Sequence, residues 1–271
     1  MAISLESISA KKVIKAPRII VIGTEKIGKT TFAAGSRFEN GKLAEIGMND
    51  PIILPIKGEE GADALGVPMF PVCKTFAEIM ETLAVLYSSD HPYKTVVLDS
   101  ASAIGPIIQD DVCTEFNVSN VRKVQGFRTG ESAVMQRWRT ILSCLDYLRE
   151  EKGMTSIIIG HVKIKKHKNP EGDDWDTFDF DMEMGEADLM KRWADLILFC
   201  NTKVTVKKEG TDSQFSKAKK TGLDLTGGQR FMYTQHRPAH PGGGRGIFGA
   251  LPYELPLDWS VFQAAVAEAA K

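Results

Sequence analysis

One stretch limits what this chain can fold into more than any other: Arg18 to Phe32, which reads RIIVIGTEKIGKTTF. Arg18-Ile19-Ile20-Val21-Ile22 is an apolar, β-branched run with the composition of a buried strand. Gly23, Thr24, Glu25, Lys26, Ile27, Gly28, Lys29 and Thr30 fit G-x-x-x-x-G-K-[ST], the phosphate-binding loop. Thr31-Phe32-Ala33-Ala34 reads as the opening of a helix. Gly23 and Gly28 permit backbone angles that let a loop wrap around phosphates. The loop N–H groups and the positive end of the following helix then face the anion. Lys29 is predicted to reach the β- and γ-phosphates and the Thr30 hydroxyl to ligate Mg²⁺. The strand before the loop and the helix after it are the context that separates this motif from a chance glycine turn.

The whole-chain charge narrows the partners. With a formal net charge of -1 over 271 residues, the chain has no global electrostatic pull toward nucleic acid or membrane, although local basic loops remain open to it. The cysteines Cys73, Cys113, Cys144 and Cys200 are far apart in sequence, with neither zinc-ribbon nor C-x-x-C spacing, and read as buried thiols of a reducing compartment. No run approaches the ~18 apolar residues of a membrane-spanning helix. Residues 1–17, interrupted by Lys11, Lys12 and Lys15, lack the apolar core of a secretory signal and read as an N-terminal arm. The expected location is the cytoplasm, that of the host cell if the chain is phage-encoded.

Along the chain, Asn40-Gly41 marks a turn. Ile52-Ile53-Leu54-Pro55-Ile56 reads as a strand that its proline confines to an edge or a strand start. Thr75-Phe76-Ala77-Glu78 is a capping box for an amphipathic helix to Tyr87. Thr95 to Ser100 and Ser156 to His161 are buried strands, and Asp195 to Cys200 a further one. Helices are expected over Ile104–Phe116, Glu131–Glu151, Leu189–Trp193 and Trp259–Ala270. Val204–Val206 and Arg230–Thr234 read as antiparallel strands, and Pro238–Pro256 as loop. Alternating strands and helices predict an α/β fold: one domain over residues 18–271, a mainly parallel sheet flanked by helices, with antiparallel additions at its C-terminal edge.

Asp99 ends an apolar strand downstream of the phosphate loop, where an acid supporting Mg²⁺ beside Thr30 is expected. Ser100 either orients metal-bound water or serves as a structural hydroxyl. A group must also position the attacking water, and Glu59 and Glu60 both follow the second apolar run. His161 ends another strand, where it is either structural or a hydrogen-bonding sensor of the γ-phosphate.

The ordered set Gly23–Thr30, Glu59-Glu60-Gly61, Val96-Val97-Leu98-Asp99-Ser100 and Ile157-Ile158-Ile159-Gly160-His161 resembles the RecA-type ATPase core. It is most similar to the short, core-only RecA-like ATPases of bacteriophages, which act in single-strand annealing and recombination. The resemblance spans roughly Ile19 to Trp259 and includes Gln229-Arg230, Thr234-Gln235-His236-Arg237-Pro238 and Gly244-Arg245. It implies a Mg²⁺-dependent ATP hydrolase with Thr31 also in the nucleotide site. Its E-x-G pattern maps the water-activating acid onto Glu59. Arg237 and Arg245 match the basic residues that approach the γ-phosphate from the same or a neighbouring subunit. This chain has Gly243-Gly244 before Arg245 where the family often carries Lys-Asn.

The resemblance also implies single-stranded DNA gripped by two loops, here roughly Val118–Ser132 and Val162–Gly185. The first offers Arg122, Lys123, Phe127 and Arg128. The second opens with Lys163, Lys165 and Lys166, while Asp173, Asp174, Asp176, Asp179 and Asp181 are expected to repel a phosphate backbone. Basic side chains neutralise phosphates and an aromatic can stack a base. A homo-oligomer, ring or filament, is expected if an arginine acts between subunits, and a single-stranded-DNA-binding protein is a possible further partner. A nucleotide-gated scaffold with little turnover is the rival reading. A helicase-type motor fits less well, because the chain carries no accessory domain.

Overall fold

The computed structural model describes residues 15–59, 61–209, 219–224 and 226–271. In chain order the elements are β1 (Arg18–Gly23), α1 (Lys29–Ala33), β2 (Arg37–Glu39), β3 (Lys42–Glu45), β4 (Pro51–Pro55), α2 (Phe76–Ser88), β5 (Thr95–Asp99), α3 (Ala101–Glu115), α4 (Thr129–Lys152), β6 (Thr155–Gly160), β7 (Val162–His167), β8 (Trp175–Phe180), α5 (Met184–Trp193), β9 (Leu196–Thr202), β10 (Val204–Glu209), β11 (Lys219–Asp224), β12 (Arg230–Tyr233), β13 (Gly243–Gly244), β14 (Glu254–Pro256) and α6 (Trp259–Ala269).

The main sheet runs β14-β12-β9-β1-β6-β5-β4, with β13 also on β9. Strands β9, β1, β6, β5 and β4 are mutually parallel. Strands β12, β13 and β14 add antiparallel at the far edge. The apolar runs are parallel because helical crossovers return the chain to the same end of the sheet each time. All carboxyl ends therefore point one way, and the phosphate loop, Asp99 and His161 leave from that end.

Side chains alternate across the sheet. Ile20, Ile22, Leu54, Leu98 and Ile158 pack with Ile79, Ile104, Trp138 and Met190 of α2, α3, α4 and α5. Ile19, Val21, Ile53, Val97 and Ile157 pack on the other face with Phe32 of α1 and with Trp259 and Phe262 of α6. Being covered on both sides, the central strands are apolar at every position. Helix α2 starts as its capping box predicts, with the Glu78 N–H donating to Thr75 Oγ1 at 3.2 Å and the Glu78 carboxylate accepting from Lys74 N at 2.5 Å. The proline-bearing strand β4 is the last strand of the sheet on its side.

Several expectations need correction. The expected loop 162–185 is mostly ordered structure: β7 and β8 form an antiparallel hairpin from Val162↔Phe180 to His167↔Trp175, and α5 begins at Met184, five residues before the predicted Leu189. The lysines lie on β7 and the aspartates on β8, with Lys163 opposite Asp179 and Lys166 opposite Asp176, so opposite charges meet across the ladder and stabilise the pairing. Val204–Val206 pairs with β11, whereas β12 pairs with β9. The expected loop 238–256 contains β13, a 3₁₀ turn at Gly246–Ala250 and β14. Residues 1–14 of the expected N-terminal arm lie outside the described residues. Beyond them Lys15 pairs with Glu150, the Ala16 carbonyl accepts from Arg149 Nε at 2.6 Å, and the Pro17 carbonyl accepts from Ser156 N at 3.1 Å. Cys73 and Cys200 are buried thiols as expected, while Cys113 and Cys144 are partly exposed. No helix among the described residues is long and apolar enough to cross a membrane.

Gly160 shows how closely the hairpin seats on the sheet. A Cβ there would lie 2.1 Å from Cε2 of Phe180, which is 1% exposed. Gly160→Ala is therefore expected to cost about 1–3 kcal/mol, the usual penalty of overpacking. Urea unfolding would read it, and an unchanged midpoint would refute the contact.

Candidate nucleotide site

The phosphate loop joins the centre of the sheet to a helix of only five residues, α1. Gly28 sits at its head with φ 102 and offers no side-chain cap to the first-turn N–H groups. So short a helix has little macrodipole, so any anion at this loop would be met chiefly by the loop's own N–H groups and Lys29. Gly23 is needed for a different reason than Gly28. Its φ is not in the left-handed region; instead a Cβ there would come within 2.3 Å of the Cys200 carbonyl oxygen on β9. Glu25 and Lys26 are exposed on the loop's outer turn, Thr24, Thr30 and Thr31 are half-buried, and Ile27 anchors the loop in the core on the α1 side.

Lys29 is 5% exposed. Its Nζ donates to the carbonyls of Gly23 at 3.0 Å and Thr24 at 2.8 Å. Burial pushes its ammonium below the usual lysine range, and the nearby Asp99 and Glu59 carboxylates oppose that shift. Cys200 lies close by, but it is wholly buried and its thiol is pushed up to about 12, so it stays neutral at ordinary pH. The counter-charges of Lys29 are therefore the two carboxylates.

The Thr30 hydroxyl donates to Asp99 Oδ2 at 2.7 Å. Burial raises the Asp99 carboxyl, with the Thr30 bond and Lys29 acting against the rise. This hydroxyl–carboxylate pair fits Mg²⁺, which takes oxygen ligands and keeps several waters and phosphate oxygens of its own. Among the described residues no cluster of three acids, histidines or cysteines forms a protein-only cage.

Glu59 follows β4 on the same side. Its Oε1 accepts from Ser100 Oγ at 2.7 Å and from His161 Nε2 at 2.8 Å. The carboxylate only accepts, so His161 carries its proton on Nε2, and among the described residues the buried Nδ1 has no partner. The His161 bond holds the Glu59 carboxyl below the usual glutamate range, against the opposing effect of burial. Gly61, which closes this turn, comes near Thr30: its Cβ position lies 3.8 Å from the Thr30 hydroxyl. Glu60 lies outside the described residues.

Lys29, Thr30, Asp99, Glu59, Ser100 and His161 thus meet in one cleft, from three parallel strands and the loop after β4. The two late arginines do not join them. Arg245 follows β13, which pairs with Leu196 and Ile197 at the start of β9; its N–H donates to the Asp195 carbonyl at 2.8 Å and its guanidinium to the Arg192 carbonyl. That is the amino end of the sheet, a strand of six residues away from Gly23, or about 17 Å at ~3.3 Å per residue. Arg245 cannot reach the γ-phosphate of its own subunit. Arg237 lies over the Tyr253 ring at 4.2 Å and pairs through its backbone with His240.

The arginine that does touch the phosphate loop is Arg230, to which the sequence assigned no role. Its Nη1 donates to the Ile27 carbonyl at 3.2 Å and lies 2.6 Å from the Cβ position of Gly28, and its guanidinium stacks over Phe38 at 5.3 Å. It heads β12 beside Thr202, at the carboxyl end of β9. A basic residue at the head of a strand is too common in sequences to be recognised without the fold.

The first polar loop and the hairpin differ in charge state. Among the described residues the guanidinium groups of Arg122 and Arg128 make no ion pair or hydrogen bond, Lys123 donates to Ser119 Oγ at 2.8 Å, and Phe127 is 95% exposed. In the hairpin Lys163 pairs with Asp181, Lys165 with Asp179 and Lys166 with Asp174, while Lys191 of α5 also reaches Asp179. Asp174, Asp179 and Asp181, three of the aspartates expected to repel phosphate, instead neutralise nearby lysines.

Asp99 and Glu59 should affect stability in opposite senses. The folded-state pKa of Asp99 lies above its unfolded value, so its contribution is present at low pH and lost as pH rises through the folded pKa. Asp99→Asn removes that loss. Without nucleotide, the variant is expected to melt above wild type at neutral pH and to converge with it in acid. The folded-state pKa of Glu59 lies below the ordinary value of about 4.3, so its contribution is present above that value and lost below it. Glu59→Gln is expected to melt below wild type at neutral pH. Melting curves from pH 3 to 8 check both signs, and shifts in the same direction at neutral pH would refute the assignment.

No curated protein sequence matches the chain. Among solved structures, that of a RadB recombinase is similar to it, with a TM-score of 0.41 and 15% identity, covering 84% of this chain and 86% of that one. Residues 15–246 match the AAA domain. That match takes in the phosphate loop, Asp99, Glu59, His161 and the parallel strands that carry them. The chain, whose phosphate loop leaves a parallel sheet flanked by helices, belongs to the AAA domain family.

Proposed function

We propose that the protein is a Mg²⁺-dependent ATP hydrolase that binds single-stranded DNA and acts in recombination or strand annealing of the bacteriophage type. The observation that carries the hydrolase reading is the convergence of a buried ammonium, a hydroxyl–carboxylate pair and a hydrogen-bonded glutamate on the phosphate loop. Lys29 neutralises charge on the β- and γ-phosphates. Thr30 and Asp99 hold the metal, which when bound neutralises the phosphate oxygens. Glu59 accepts the proton of the attacking water as its oxygen bonds to the γ-phosphorus and the bond to the β,γ-bridging oxygen breaks. Ser100 and His161 orient the Glu59 carboxylate. Arg230 braces the outer side of the loop and turns its remaining N–H donors to the nucleotide. Arg245, and Arg237 with it, serve the nucleotide of a neighbouring protomer, which requires a homo-oligomer.

Nucleic-acid binding is assigned to the first polar loop, residues 118–132. Its free guanidinium groups and exposed Phe127 support phosphate contact and base stacking. The hairpin is assigned a lesser part, because its lysines are already paired.

ATP turnover measured with and without single-stranded DNA tests this reading. Lys29→Ala is expected to abolish nucleotide binding. Glu59→Gln should keep binding and lose about 10²- to 10⁴-fold in turnover, the usual worth of a general base. Arg230→Ala is expected to weaken nucleotide binding, whereas Arg245→Ala should lower turnover only under conditions where the protein assembles. Full turnover in Glu59→Gln with loss in Glu60→Gln would move the catalytic acid by one residue. DNA binding gated by nucleotide but without turnover would favour the scaffold reading.

A further inference from the structure

A cavity of ≈ 440 Å³, with no phosphate-loop residue in its lining, lies between the turn at Asn120–Arg122, the start of α4 and the start of α5. Ligand pockets of about 300–1,000 Å³ are typical of small-molecule sites. Its charged lining side chains are Arg122, Arg128, Glu131, Glu183 and Glu186. Glu186 is 5% exposed. Trp138 Nε1 donates to its Oε2 at 2.8 Å and is its one hydrogen-bond donor among the described residues. Burial pushes this carboxyl above the usual glutamate range. A buried carboxylate with a free oxygen at the wall of a cavity is costly unless something donates to it. Nothing in the nucleotide site uses this group.

Of its charged side chains only Glu186 is buried, while Glu131, Glu183, Arg122 and Arg128 are exposed. A ligand that fits must present adjacent N–H donors to the carboxylates and anionic groups to the arginines. Among the bases, guanine alone has two neighbouring donors on one edge, N1–H and N2–H₂. Adenine and cytosine set a single amino group beside an acceptor nitrogen, and thymine sets one N–H between two carbonyl oxygens. We propose that this cavity takes one unstacked guanine of single-stranded DNA, its N1–H and N2–H₂ donating to Glu186 and Glu183 while Arg122 and Arg128 hold the flanking phosphates. Phe127, exposed between those arginines in sequence, stacks the neighbouring base. The proposal rests on the single-stranded-DNA reading above and adds a base preference to it.

Fluorescence anisotropy tests it, using a labelled oligothymidylate and the same strand with one central guanine, inosine or adenine. The guanine strand is expected to bind about tenfold more tightly than the thymidine strand, at the lower end of what a bidentate base contact discriminates. Inosine, which lacks the N2 amino group, should lose most of that gain. Glu186→Gln keeps an acceptor for Trp138 but aims an amide N–H₂ at the base. It should bring the guanine strand to the thymidine level without changing the thymidine strand. If that variant fails to fold, Glu183→Gln at the exposed mouth should lower the guanine preference in the same way. Arg122→Ala and Arg128→Ala should weaken all strands alike and flatten the salt dependence. Equal affinity for all four strands, or a guanine preference intact in Glu186→Gln, overturns the pocket while leaving DNA binding standing. Binding of no strand at all overturns the DNA reading and the pocket with it.

Discussion

The buried ammonium of Lys29 is the constraint from which the rest of the site follows. A charge with so little solvent is tolerable only when hydrogen-bonded and electrically balanced. Two carbonyls of its own loop supply the bonds, and Asp99 and Glu59 supply the balance. Those partners arrive only if β1 lies in the middle of a parallel sheet with β5 and β4 entering from the same end. The approach of β1 to β9 is equally tight, because at Gly23 the Cys200 backbone leaves no room for a side chain. The loop, the sheet order and the placement of the acids are thus one solution to the burial of one cation.

The second dependency runs from Glu59 outward. Its carboxylate is tied to His161, and the residue after His161 begins the β7–β8 hairpin. The His161 backbone is itself fixed on both sides: its carbonyl accepts from Asp181 N at the hairpin's far end, and its N–H donates to Ser102 Oγ in α3. A displacement of the hairpin therefore acts on the residue that orients Glu59. The free arginines of residues 118–132 and the paired lysines of the hairpin divide the basic surface into a part open to anions and a part already neutralised.

Much of the fold can be read directly from residue order. The β-branched runs at Ile19–Ile22, Val96–Leu98 and Ile157–Ile159 are strands because both faces of each are covered by helices, so every position is apolar. The glycines and Lys29-Thr30 specify a phosphate cradle because each residue type has a local steric or chemical reason to be there. Glu59, Asp99 and His161 are legible because each ends or follows an apolar run, and in a parallel sheet those ends meet. The hairpin escaped a reading of composition, since a lysine-rich run followed by an aspartate-rich one is as polar as a loop and only cross-strand pairing turns it into a ladder.

By itself the sequence determined the phosphate loop, the parallel strands and the acids at their carboxyl ends, because these depend on local sterics and on an alternation that neighbouring residues share. Only the tertiary structure decided which arginine meets the loop. Arg230, Arg237 and Arg245 are equivalent by composition. The antiparallel return of the chain along β9 leaves Arg230 beside Ile27 and carries Arg245 to the opposite end of the sheet. It alone also joined Glu186 to Trp138 and to the arginines lining the 440 Å³ cavity, since helices distant in sequence form that wall and no local pattern records their meeting.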